Sequence, residues 1–247
     1  MSRPTYAMPI LETPEIAYVE SRRAALADLA AVFDDHRESV LCVRIGGTDL
    51  SGLFGLRRDR DTTVWDIAVV RDALSDIVNQ FARGGRYVVT GAVWEHIPGA
   101  RLFKPQLRES PFLEQHAGSL RRRMIDDDVD ALLREISLDR SNGLHGKTVI
   151  HPTHVSVVNS LLAVGWDEYD DACAIRDARG AGGAIASAHG RMNELGPHAL
   201  WAEQVLARAT AFGVVREGAS LVELLALGQR AVAAEYGLAM SSVKVVS

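Results

Sequence analysis

Long apolar runs are missing from this 247-residue chain, although 47% of its residues are hydrophobic. No stretch approaches the roughly 20 consecutive apolar residues that span a bilayer, so no membrane partner is expected. Cysteine is nearly absent: Cys42 and Cys173 stand far apart and form no C-x-x-C pair. That excludes a disulfide scaffold and points to reduced thiols in a cytoplasmic protein. The opening MSRPTYAMPILETPE lacks the apolar core and cleavage pattern of a secretory signal. A basic excess is lacking too, with 27 Lys and Arg against 32 Asp and Glu and a net charge of -5. Nucleic acid is therefore not an expected partner. No G-x-G-x-x-G, Walker or G-x-S-x-G pattern occurs, which removes the commonest dinucleotide, nucleotide and serine-hydrolase signatures.

What is present is an alternation of strand-like and helix-like segments over the first 150 residues. Tyr6 to Leu11 is a short apolar run ending at Glu12, and Thr13-Pro14 reads as a helix start. A helix through Ile16, Val19, Leu26, Leu29 and Phe33 follows. Val40 to Ile45 is a second strand closed by Gly46-Gly47, and a loop rich in Gly, Arg and Asp runs on to Asp61. Asp66 to Arg83 repeats Ile67, Val70, Leu74, Ile77 and Phe81 at helical spacing and stops at Gly84-Gly85. Arg86 to Thr90 is a third strand. A helix from about Leu120 to Leu138 leads to Lys147–Ile150 as a fourth strand, ending at His151-Pro152. From there the chain reads as helical, interrupted by a flexible Gly-rich segment, residues 179–191. Each βα unit takes about 30 residues, so there is room for about four. The order β-α-β-α predicts parallel strands, whose functional residues collect at the carboxyl edge.

Several polar residues fall at those ends. Glu12 and Asp49 follow neighbouring strands, and two carboxylates converging there suit a hard cation such as Mg²⁺. The competing reading is that Glu12 favours a helix N-terminus and Asp49 caps a turn. His151 ends the fourth strand, either contacting a ligand or fixing a loop, and His154 is expected to be exposed on the following helix. Arg57, Arg58 and Arg60 read either as an anion contact or as a solvated loop. Asp126-Asp127-Asp128 beside Arg121-Arg122-Arg123 reads as a salt-bridged face.

The segment GLHGKTVIHPTHVSVVN, residues 143–159, resembles the G-x-x-GK-x-x-IHP segment of the citrate lyase β-subunit-like, HpcH/HpaI aldolase superfamily. PILET (9–13) resembles that superfamily's strand with the metal-binding glutamate. RIGGTDLSGLFGLRR (44–58) resembles the segment with its metal-binding aspartate, and HGRMNELGPHALWAEQVL (189–206) its carboxyl-terminal segment. GTDLSGLFGLRR and RLFKPQLRESPF are most similar to the carbon–carbon bond lyase branch found beside tellurium-resistance genes.

The resemblance implies an α/β fold: a partial (β/α)₈ TIM barrel of about four carboxyl-terminal βα units with a helical extension. The domains are expected at 1–165 and 166–247, with the first half of the barrel, and its substrate-holding arginine, absent. It also implies a Mg²⁺ (or Mn²⁺) lyase that forms or cleaves a carbon–carbon bond beside a carbonyl, on an oxo acid or acyl-CoA thioester. Glu12 and Asp49 carry over as metal ligands, and Glu194 and His151 as catalytic candidates. Met192-Asn193-Glu194 departs from the usual spacing. A homo-oligomer is implied, with the helices over 197–236 at the interface. The alternative is a non-catalytic or truncated scaffold or partner subunit that keeps the lyase fold.

Overall fold

The computed structural model describes residues 5–97 and 129–236. These divide into two compact units, 5–97 with 129–154, and 155–236. The division falls earlier than residue 165 because Val164 already packs into the second unit's core.

The first unit is built on three parallel strands in the order β1 (Ile10–Leu11), β2 (Val43–Ile45) and β3 (Val89–Thr90). Ile10 pairs with Arg44 and Leu11 with Ile45, while Val43 pairs with Val89 and Arg44 with Thr90. The crossover between β1 and β2 holds α1 (Pro14–Ala17) and α2 (Val19–Asp35). One continuous helix was expected there; Tyr18 breaks it by adopting an extended conformation. The second crossover holds α3 (Gly47–Gly52) and α4 (Ala68–Phe81). Thus a short helix occupies part of the expected loop, anchored by fully buried Leu50.

β2 is central, and its side chains alternate between two faces. Val43 and Ile45 are 0% and 3% exposed and pack on Leu26, Phe33, Leu74, Ile77 and Phe81 from α2 and α4. Phe33, Phe81 and Tyr87 form an aromatic group with centroids 5.4–6.2 Å apart. Arg44 lies on the opposite face. The 3.6-residue apolar repeat of α4 is what turns its buried stripe toward the sheet.

The expected fourth strand is reduced to one parallel bridge, Gly91 to Lys147. His145 N–H donates to Val89 O and Gly91 N–H to Gly146 O, after which Val149 and Ile150 leave the sheet with exposed side chains. α5 (Asp130–Ser141) precedes this segment and α6 (Pro152–Leu162) follows it.

The second unit contains α6 from residue 155 onward, α7 (Trp166–Asp177), α8 (Ala199–Phe212) and α9 (Leu221–Tyr236). It also holds an antiparallel hairpin, β4 (Ala184–Ala186) with β5 (Met192–Glu194), where no strands were expected. Gly190, in the connection between the strands, and Gly183, just before β4, have φ of 77° and 92°, conformations open to glycine at no steric cost. The start of the helix expected from Leu120, the Arg121–Asp128 charge run, RLFKPQLRESPF and the tail 241–246 lie outside the described residues.

Phe81 is fully buried in the first core, whereas Val19 is 74% exposed. Phe81→Ala should cost about 3–5 kcal/mol in urea unfolding, and Val19→Ala less than about 0.5 kcal/mol. Equal losses would contradict the core assignment.

Candidate metal centre

Glu12 is the residue after β1, and Asp49 lies in the first turn of α3, just beyond β2. Because the strands are parallel, both carboxylates come to one edge of the sheet. Leu11 O accepts the Gly46 N–H at 3.0 Å, which holds the two strand ends together. A Cβ on Gly46 would stand 2.3 Å from Glu12 Oε2, so only glycine lets the Glu12 side chain lie across β2. Burial, then the adjacent Asp49 carboxylate, raises the Glu12 pKa; the Arg44 charge opposes the rise. Two carboxylates crowded together in this way are a hard-oxygen donor pair. Among the described residues no group of three or more His, Cys, Asp and Glu is placed to hold a metal. A pair nonetheless fits Mg²⁺, which commonly takes one or two carboxylates and keeps several waters.

Beside these strand ends lies a network of buried charges. Arg58 Nη1 donates to Glu135 Oε2 at 2.8 Å, and its Nη2 donates to Glu95 Oε1 at 2.8 Å and to Val93 O at 2.6 Å. Lys147 bridges Glu135 and Asp139, and Trp65 Nε1 donates to Asp139 at 2.7 Å. Arg58, Glu135, Asp139 and Lys147 side chains are all 2% exposed or less. Thr48 Oγ1 donates to Glu95 Oε1 at 2.8 Å, which fastens α3, and with it Asp49, to the network. Burial raises Asp139, with the Lys147 charge opposing it. Burial also works against Glu95, but the Arg58 guanidinium and Thr48 hydroxyl hold it below its usual range. Arg58 is therefore an internal anchor and not a solvated loop residue.

The other predicted residues sit as follows. His151 is half-buried; its Nδ1 lies 2.8 Å from Thr153 Oγ1 and accepts the Thr153 N–H at 3.3 Å. Accepting there leaves the neutral ring's proton on Nε2. His154 is 0% exposed, contrary to the expected exposed position, because it lies on the inward face of α6. Glu194 stands in β5 of the second unit, where its backbone N–H donates to His198 Nδ1 at 3.1 Å. Glu95, which the sequence places among the polar strand-end residues, belongs to this network, whereas Arg44, Glu135, Asp139 and Lys147 carry no site expectation from the sequence. The i, i+4 spacing of Glu135 and Asp139 was the available signal, since it places both on one helix face.

Residues 1–214 match the model of a family described as C-C bond lyase of the TIM-barrel fold. The chain belongs to that family. No curated protein matches the chain. Among solved structures it is similar to the protein CitE from Mycobacterium tuberculosis, crystallised with magnesium, acetoacetate and coenzyme A, at 21% identity and a TM-score of 0.49. The likeness covers 84% of this chain and 62% of that one, so this lyase-family chain spans less than two thirds of CitE's length. Among the described residues no helix is long and apolar enough to cross a membrane.

Burial, reinforced by His151, lowers the His154 pKa from 6.5 to about 4, against a weaker pull from the His96 backbone. The unfolded chain thus takes up a proton as pH falls through 6.5, while the folded chain resists until about 4. Stability is full above pH 6.5 and drains between those values. Between pH 7.5 and 5 the wild type should lose about 2 kcal/mol more than His154→Leu in urea unfolding. Equal acid sensitivity in both would contradict the buried, neutral imidazole.

Proposed function

We propose that this chain is a Mg²⁺-dependent carbon–carbon lyase or aldolase acting on an oxo-acid or acyl-CoA-type substrate. The observation that carries the reading is the pairing of Glu12, just after β1, with Asp49, in α3 just after the adjacent parallel β2, at one sheet edge. Glu12 and Asp49 would hold the ion, which when bound supplies the Lewis acidity that polarises a carbonyl. In the cleavage direction a base takes the hydroxyl proton of the substrate, and the hydroxyl carbon becomes a carbonyl as the carbon–carbon bond breaks. The electron pair passes to the other fragment as an enolate, which an acid then protonates at carbon.

Glu194 enters as a proton-transfer candidate only through the likeness of residues 189–206 to the family's carboxyl-terminal segment. His151, with its proton on Nε2, is the candidate donor to a substrate oxygen. The buried network keeps α3 in place so that Asp49 stays beside Glu12. The setting in this reading is the cytoplasm, as a homo-oligomer with the region of α8 and α9 at the interface.

A second reading is a scaffold or partner subunit that keeps the lyase fold without turnover. It is favoured by the sheet, which among the described residues has three strands and one bridged segment, against eight strands in a closed barrel. Cleavage of oxaloacetate- or citramalyl-type substrates by the purified chain separates the two, since a scaffold gives none.

Titration calorimetry with Mn²⁺ tests the metal centre itself. Glu12→Gln should weaken Mn²⁺ binding at least about tenfold, the lower range for losing even an outer partner of a metal. Unchanged affinity would contradict the assignment.

A further inference from the structure

Arg44 differs from Arg22, Arg58 and Arg86 of the first unit, each of which pairs with a carboxylate. Arg22 donates to Ile16 O, Ala17 O and the Asp76 carboxylate. Arg58 is held by two carboxylates, and Arg86 pairs with Asp34. Arg44, half-buried on the central strand, makes one side-chain hydrogen bond, from Nη2 to the neutral Thr148 Oγ1 at 3.1 Å. Among the described residues no carboxylate comes within 4.0 Å of it. A guanidinium carries five N–H donors in a planar fork, so most of its capacity is unused by the protein.

Its position is defined by the sheet. Arg44 pairs with Ile10 on one side and Thr90 on the other. Val43 and Ile45 point into the core, so Arg44 projects from the opposite face. Gly46, two residues on, has the same facing, and the Glu12 side chain lies across Gly46. Arg44 is therefore one step down the strand from the carboxylate pair, near enough for its charge to act on Glu12. An arginine present only to neutralise those carboxylates would be expected to close on them, as Arg58 closes on Glu135. Among the described residues Arg44 instead forms no ion pair beside them.

We propose that Arg44 receives the carboxylate of an oxo-acid substrate whose carbonyl is presented at the Glu12–Asp49 pair. The proposal rests on the metal-centre reading above and narrows its substrate class. Two carboxylates and a divalent cation balance in charge, which leaves the Arg44 cation for the substrate to answer. A free carboxylate on the substrate restores neutrality, and the planar fork matches it bidentately. A neutral acyl group alone does neither.

The test uses Mn²⁺ and oxalate, a dianion that chelates a metal through one oxygen of each carboxylate and leaves its outer oxygens to accept from a guanidinium. Calorimetry compares the wild-type chain with Arg44→Gln and Arg44→Lys. In Arg44→Gln, Mn²⁺ affinity should stay within about twofold while oxalate affinity at saturating Mn²⁺ falls at least about tenfold, as for loss of a charge-assisted hydrogen bond. Arg44→Lys, which keeps the charge but loses the fork, should fall between the two. Undiminished oxalate binding by Arg44→Gln with Mn²⁺ bound would overturn the proposal. If Arg44→Gln does not fold, Arg44→Lys decides: weaker oxalate with Mn²⁺ retained supports it, and equality overturns it. If wild type and Glu12→Gln bind Mn²⁺ alike, the metal-centre reading fails instead. Oxalate titration without metal then decides Arg44 alone, by the same tenfold loss or its absence.

Discussion

The buried Glu135 carboxylate, held between Arg58 and Lys147 and accepting the Val64 N–H at 2.8 Å, is the constraint on which the strand-end geometry depends. Its three partners come from the loop after α3, the turn before α4 and the segment that bridges β3. A carboxylate at 0% exposure cannot exchange these partners for water, and removing one leaves an uncompensated charge in a poor dielectric. Such a group adds little net stability over an apolar replacement, but it admits few alternative arrangements of the three segments. The constraint passes through Arg58 to Glu95, and through Glu95 to Thr48, so that α3 is tied to the same frame as the end of β3.

Close backbone approach is the second condition. Gly46 and Gly91 are where side chains cross the sheet: a Cβ would stand 2.3 Å from Glu12 Oε2 at the first and 2.3 Å from Asp139 Oδ2 at the second. One glycine lets the candidate metal ligand reach across β2, and the other lets the buried network sit against β3. With β2 central, its alternation sends Val43 and Ile45 to the hydrophobic core and Arg44 to the opposite face. Packing and chemistry are thus sorted by a single strand.

The sequence made the parallel order and the edge carrying Glu12 and Asp49 legible, because apolar runs ending in acids repeat with helical spacers between them. Motif likeness pointed to the same residues. What stayed hidden depended on tertiary contacts. Arg58 reads equally as an anion contact or a solvated loop charge, and only the tertiary approach of Glu95 and Glu135, from distant segments, decides for carboxylate contact. His154 reads as an exposed helix residue because neighbouring helix positions do not reveal which face is covered. The hairpin of β4 and β5 was obscured by glycines that read as flexibility but sit at its connection and just before its first strand. The break at Tyr18 had no signal, since an unbroken apolar repeat runs through it. Arg44 carries no signal of its own in the sequence, because strand alternation marks the core and not the role of the opposite face.

The central claim is that Glu12 and Asp49 together hold one divalent ion. Anomalous diffraction from crystals of this chain grown with Mn²⁺ addresses it most directly. The account predicts one peak within about 2.1 Å of an oxygen from each carboxylate, the spacing of a small hard cation, with the remaining positions filled by water. A peak that contacts only one of the two residues, or lies elsewhere while both carboxylates remain bare, would contradict it.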